Sequence, residues 1–239
     1  MNDYQRIVLE PAYILHARAY RESSRIIDAF SERYGRVAVV ARGVRRPRAR
    51  LRAALQPFRP LLLSWSGRGS LRTLTGAEAD GPPAALSGDA LMSAWYVNEL
   101  ILRLLERDDP HPALHARYAQ TLAELAAELP PARSLRRFEK CLLDELGYGL
   151  NLERDIVNAQ PVRPEGRYRF QFEEGPSEVD EDGDQVFPGA SLLALANGEL
   201  NDEGTLRDAR RLLKAQLDRY LGERPLKTRD VLHAMKKIR

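Results

Sequence analysis

The chain has 239 residues, 44% hydrophobic and 30% charged, with a net charge of +3 and one cysteine, Cys141. This length suits one large or two small domains, and a lone cysteine excludes an internal disulfide and a thiolate zinc cluster. No apolar run approaches a membrane span, and the start, MNDYQRIVLEP, lacks the layout of a secretory signal, so a cytoplasmic protein is expected. The charge is unevenly spread. Residues 1–80 hold 15 arginines, no lysine and 7 Asp or Glu, against 22 basic and 27 acidic residues in the remainder. Such asymmetry suggests a polyanion-binding module joined to a more acidic one.

Apolar and β-branched runs at residues 7–9 with 12–15, then 24–30, 37–41, 58–65 and 71–77, predict five short strands. Gly35, Gly43, Gly67, Gly69 and Gly76 punctuate them. Five strands in about 75 residues fit a small closed barrel, and the OB-fold is a barrel of this size whose usual ligand is single-stranded nucleic acid.

GPPAA at 81–85 reads as a linker, after which the apolar period becomes helical. Leu91, Ala94, Trp95, Ile101, Leu102 and Leu105 follow the N-cap candidate Ser87, with Pro110 as the stop. A second helix opens near Pro112 and ends at Pro130-Pro131. A third begins near Ser134, turns Leu135, Phe138, Cys141, Leu142 and Leu146 inward, and closes at Gly147. These three are expected to pack as a bundle. Between 150 and 187 the period breaks, and RYRFQFEE (167–174) alternates as a strand of a small hairpin would. Helices are predicted over 188–197, from Thr205 to Gly222, and over 230–238. The expected fold is α+β: an OB-fold barrel over residues 1–80, then a mainly α-helical domain over 86–239 with a small β-hairpin insertion near 150–187.

The segment RYGRVAVVARGVRRPRARLR (33–52) joins a strand to a cationic loop holding five arginines in eight residues: Arg45, Arg46, Arg48, Arg50 and Arg52. With Arg36 and Arg42 they could contact several phosphates and release counterions. Pro47 restricts the loop, which lowers the ordering cost of binding. A loop without a partner would hold these charges against their own repulsion, so nucleic-acid binding is the preferred reading. Of the aromatics that could stack bases, Tyr4, Tyr13, Tyr20, Tyr34, Phe58 and Trp65, Tyr34 beside Gly35 in a turn is the best placed, whereas Phe58 and Trp65 fit a core.

Other constellations carry less. VDEDGD (179–184) fails as a calcium loop, because from Asp180 the glycine falls fourth instead of sixth and Ser191 stands where the bidentate Glu is needed. His111 and His115 are spaced i,i+4 without the Glu of a zinc-protease helix. Phosphate-binding loops and the G-x-S-x-G elbow are absent, and Cys141 occupies an apolar helical position.

GRVAVVARGVRRPRARLRAALQPFRPLLLSW (35–65), with GRGSLRTLTGAE (67–78), resembles the N-terminal domain of the bacterial RecO family of DNA repair proteins. Phe138-Glu139 with LLDELGYGLNL (142–152) is similar to that family's helical segment, and RPLKTRDVL (224–232) to its C-terminal motif. The resemblance implies an N-terminal OB-fold, a C-terminal helical domain and a recombination mediator. Such a protein binds single- and double-stranded DNA and anneals complementary strands coated by single-strand-binding protein (SSB). With RecR it loads RecA in gap repair, the RecF pathway. It works in the cytoplasm with the nucleoid, uses no cofactor and is not an enzyme.

The resemblance also implies a dock for the acidic C-terminal tail of SSB. Because that tail ends in a hydrophobic residue, the dock should combine an apolar pocket with Arg or Lys. Arg133, Arg136 and Arg137 around Leu135 and Phe138 are candidates, although solvating a helix start would suit these arginines equally. Many family members carry a four-cysteine zinc site after the LGYGL segment. Here RDIVNAQPV (154–162) places Asp155 and Asn158 where the first cysteine pair would fall, so no metal is expected. The alternatives are a metal-dependent nuclease using Asp180, Asp182 and Asp184, and a single-stranded RNA-binding OB module.

Overall fold

Apolar and β-branched runs punctuated by glycines build five strands in the first eighty positions. In the computed structural model, which describes residues 4–46, 51–127, 130–222 and 226–231, these are β1 (Gln5–Tyr20), β2 (Ser24–Ser31), β3 (Gly35–Ala41), β4 (Leu61–Gly67) and β5 (Leu71–Ala79). They close a barrel in the order β1-β2-β3-β5-β4. Every pairing is antiparallel except the parallel β3–β5 contact. This is the OB-type barrel expected, with a short helix α1 (Leu51–Ala54) added between β3 and β4.

The two N-terminal runs are one strand. The first half of β1 pairs with β4 and the second with β2, so the strand must bend. Its register shifts between Ile7 and Glu10 and again between Ile14 and His16. At the first shift Leu9 adopts φ +52 and its N–H donates to Ser64 Oγ at 3.0 Å. Inward residues form the core: Ala12, Ile14, Ile27, Ala29, Val37, Val39, Leu61, Leu63, Leu74 and Trp65. Glu10 is fully buried, where its carboxylate accepts from Ser31 Oγ (2.8 Å), the Arg33 N–H (2.8 Å) and Arg33 Nε (2.7 Å). It therefore latches the bend in β1 to the β2–β3 turn.

The outer face of β1 and β2 is also apolar, and it is covered. Helices α2 (Gly88–Leu104) and α3 (Pro112–Ala126) follow the 81–85 linker. Tyr118 of α3 meets Tyr13 edge-on at 5.0 Å and Phe30 at 6.1 Å between ring centres. Asn98 of α2 donates to the Leu15 carbonyl (2.9 Å) and accepts from the Tyr118 hydroxyl (2.7 Å). Burial pushes the pKa of that hydroxyl up. After α2 the chain runs along the barrel. Arg72 pairs with Asp108 at 2.6 Å, Arg107 with Asp28 at 3.2 Å, and the Asp108 N–H donates to the Arg36 carbonyl at 3.1 Å. Gly35, at φ +61, lies so close that a Cβ would sit 1.8 Å from the Asp109 carbonyl oxygen.

One compact unit therefore comprises Met1–Leu129 with Leu226–Arg239, extending past the barrel to include both helices. In its C-terminal part Leu226 is buried, and Glu99 accepts from the N–H groups of Lys227 (2.8 Å) and Thr228 (2.9 Å). Residues 227–231 make a helical turn, and the rest of the helix expected over 230–238 lies outside the described residues.

The second unit is Pro130–Pro225. It contains α4 (Pro131–Glu145), β6 (Arg167–Gln171), β7 (Gly175–Glu178), β8 (Val186–Pro188), α5 (Gly189–Asn197) and α6 (Glu203–Leu221). The expected hairpin carries a third strand, giving an antiparallel sheet of order β7-β6-β8. The third helix of the expected bundle, α4, packs instead with α6, which also packs against α5. Buried Phe138, Leu142, Leu192, Leu195, Leu212, Leu213 and Leu217 supply its core. Asp202 caps α6, accepting from the Thr205 N–H at 2.9 Å.

In the stretch compared above with a zinc site, Asp155 is buried. It accepts from the N–H groups of Val157 (2.7 Å), Asn158 (3.2 Å) and Glu178 (2.7 Å). Desolvation acts to raise its pKa, but these three donors together bring it below the usual carboxylate range. The loop is closed by a carboxylate that gathers backbone donors.

Candidate nucleic-acid interface

Strand direction decides which loops meet. Because β2 runs against β1 and β3, the β1–β2 turn lies beside the end of β3, as the Arg25–Ala41 pairing shows. Because β5 runs parallel to β3, with Leu71 opposite Ala38 and Thr73 opposite Val40, the start of β5 reaches the same end. Loops of this kind flank the ligand face of OB barrels.

The cationic segment is fastened here at two apolar points. Val44 is buried in the barrel core, and beyond the loop Leu51 and Leu55 pack against that core. Between these points the Arg45 N–H donates to the Ser23 carbonyl (2.9 Å), its guanidinium donates to the Arg21 carbonyl (3.3 Å), and the Arg46 N–H donates to the Gly43 carbonyl (3.1 Å). Gly43 makes the turn possible at φ +66. Arg42, Arg45, Arg46 and Arg52 are exposed, and Arg48 and Arg50 lie outside the described residues.

An open cleft of about 860 Å³ lies among these loops. Arg21, Arg42 and Arg46 border it, and among the described residues lining it Glu22 is the one acid. Tyr20, Val40, Leu71 and Thr73 contribute its less polar surface, with Leu71 40% exposed. Arg21 is held at φ +51 with its guanidinium 5.2 Å from the centre of the Tyr20 ring. Arg68 is exposed in the β4–β5 connection. Among the described residues, no carboxylate pairs with Arg21, Arg42, Arg45 or Arg46. Clustered cations on low-dielectric walls focus a positive field outward.

Several expected contacts lie elsewhere. Arg36 is at the other end of β3, about 20 Å from Arg42 at strand rise. It is half-buried and donates to the Leu102 carbonyl, tying the barrel to α2. Burial lowers its pKa, and the neighbouring Arg107 adds to this. Tyr34 is not an open stacking platform, because its ring meets Trp65 edge-on at 5.5 Å and packs on the barrel core. Phe58 is buried against Trp95, and Trp65 lies in the core, as expected of both. Tyr20, one of the aromatics considered for stacking, borders the cleft, whereas Arg21, Leu71 and Thr73 escaped the sequence reading as site residues.

Of the candidate residues for an SSB tail, Arg133 is exposed, Leu135 and Arg137 are half-buried, and two lie inside. Arg136 and Phe138 are buried, with Arg136 paired to buried Glu139 at 2.5 Å. Arg133 donates to the Leu200 carbonyl (2.9 Å), and Arg137 donates twice to the Gly198 carbonyl (3.0 and 2.8 Å). The bonds of Arg133 and Arg137 tie α4 to the segment just after α5, and Leu135 is half-buried. Arg136 lies inside by helical phase: it falls on the same inward side as Glu139, so the charge is paired inside.

Asp182 of the acidic run pairs with Arg167. Among the described residues, no group of three or more His, Cys, Asp or Glu is placed to hold a metal ion. His115 packs against Tyr13 and Phe30 at 5.5 and 5.3 Å, and Cys141 is half-buried. Among the described residues no helix is long and apolar enough to cross a membrane.

Comparison with known proteins follows both parts of the chain. Residues 5–82 match the family model described as Recombination protein O N terminal, and residues 85–230 match Recombination protein O C terminal. The DNA repair protein RecO of Nitrosococcus oceani is 47% identical over 236 residues, covering 98% of this chain and 96% of that protein. The proteins of the same name from Alkalilimnicola ehrlichii and Azoarcus sp. are 49% and 42% identical. These alignments cover 94% and 97% of this chain, and 90% and 97% of the relatives. With both of its parts matched and its relatives aligned almost end to end, this chain belongs to the recombination protein O family.

Proposed function

We propose that the protein is a recombination mediator in DNA repair, working in the cytoplasm with the nucleoid. It binds single- and double-stranded DNA, anneals complementary strands coated by SSB, and with RecR assists the loading of RecA. The observation that carries this reading is the barrel end where exposed Arg21, Arg42, Arg45 and Arg46 cluster without carboxylate partners among the described residues. The names of the relatives, DNA repair protein RecO, support the same process.

The mechanism is electrostatic. Each guanidinium that meets a phosphate releases condensed counterions, so binding strengthens as salt falls. Two strands gathered on one cationic surface repel each other less and are locally concentrated, which speeds pairing. No bond is made or broken, and no nucleotide or metal takes part. The helical domain holds the SSB tail and so brings the coated strand to the barrel.

Annealing of SSB-coated complementary oligonucleotides tests the proposal. The wild-type protein accelerates duplex formation and leaves strand length unchanged, and an Arg45/Arg46/Arg48→Ala variant is slower. Shortened strands in the presence of magnesium would establish a nuclease instead, and unchanged annealing by the variant would remove the loop from the mechanism.

A further inference from the structure

We infer that the cleft at the barrel end seats an unpaired nucleotide, its base over Tyr20, Val40 and Leu71 and its flanking phosphates on Arg21, Arg42 and Arg46. This rests on the reading that this face meets DNA, and adds which form of DNA the cleft holds.

The composition of the cleft is the first argument. A surface that only grips duplex phosphates needs cations and polar donors. Here a leucine stands 40% exposed at the start of β5, beside half-buried Val40 and Tyr20. An apolar floor inside a cationic rim matches a base attached to its phosphates, since a base offers an apolar face and the backbone offers charge. Size is the second. At about 860 Å³ the cleft lies within the roughly 300–1,000 Å³ typical of small-ligand sites, which suits a nucleotide.

The third argument is preparation. Arg21 is held in the left-handed region at φ +51, a conformation non-glycine residues seldom adopt, and its carbonyl is bound by Arg45. Its guanidinium lies near the Tyr20 ring, so cation and ring are presented together. Thr73 and Ser23 add hydroxyls that can bond to a base edge. A base can reach this floor only when it is out of its pair, so the cleft favours single strands and frayed ends over closed duplex.

The test measures affinities of the full chain for oligo-dT and for a blunt duplex of equal length. Leu71→Thr and Tyr20→Thr put a β-branched residue, which suits a strand, at each position and leave all the cations in place. Each is expected to weaken oligo-dT binding roughly tenfold while duplex affinity stays within about twofold. An abasic oligonucleotide of the same length should bind the wild type as weakly as oligo-dT binds these variants. Equal loss on both probes, no loss on either, or undiminished binding of the abasic strand overturns the inference. An Arg42/Arg46→Ala variant that binds both probes like the wild type would instead overturn the assignment of this face to DNA.

Discussion

Replacing Arg42, Arg45 and Arg46 together by alanine removes three exposed guanidinium groups from the barrel end without breaking an ion pair among the described residues. Among the described residues, the one side-chain hydrogen bond lost is the exposed 3.3 Å contact of Arg45 with the Arg21 carbonyl, so thermal stability should barely change. If each guanidinium meets one phosphate of a single strand, the slope of log affinity against log salt becomes shallower by roughly 0.7 per contact, about 2 in all. Between about 50 and 200 mM salt, wild-type affinity should then fall roughly twentyfold more than that of the variant. Fluorescence anisotropy with labelled oligo-dT across a salt series reads both slopes. Arg33→Ala serves as a control, because Arg33 is exposed but bound to Glu10 at 2.5 Å, and its slope should match the wild type. Parallel lines for the triple variant and the wild type would refute the argument.

Two further outcomes concern the first unit. Gly35→Ala must hold alanine at φ +61 and force a Cβ against the Asp109 carbonyl, at a combined cost of about 2–5 kcal/mol, which a fall in the denaturation midpoint would show. His115 titrates below its ordinary range because burial opposes its charge, with Glu32 and Glu10 acting the other way. The unfolded chain therefore takes up the proton first. Stability is complete above about pH 6.5 and declines as pH falls below it, and His115→Leu should flatten that decline in a pH series of denaturation curves.

Much of the architecture was legible because its causes are local. Apolar, β-branched runs with glycine punctuation marked the strands, as in 37–41 before Gly43, and a capping signal at the start of α6 was visible around Thr205, although Asp202 one turn earlier is the cap. The density of arginine over 45–52 pointed to the barrel end where exposed Arg42, Arg45 and Arg46 cluster. Period alone could not say what would cover the outer side of β1 and β2. Tyr13 and Phe30 read as strand residues whether water or α3 faced them, so the first unit grew past its expected end.

Residue type and spacing along the chain determined that this protein has an OB-type barrel with a cationic loop and a helical part after it, since both signals depend on near neighbours. Only the closed barrel decided which of those charges act together. Arg36 and Arg42 lie six residues apart, yet one ties the barrel to α2 and the other borders the cleft, because a strand carries its ends to opposite rims. Arg21 and Leu71, fifty residues apart, share that cleft because β3 pairs with β2 on one edge and β5 on the other. Such pairings are set by long-range closure, which no local pattern records.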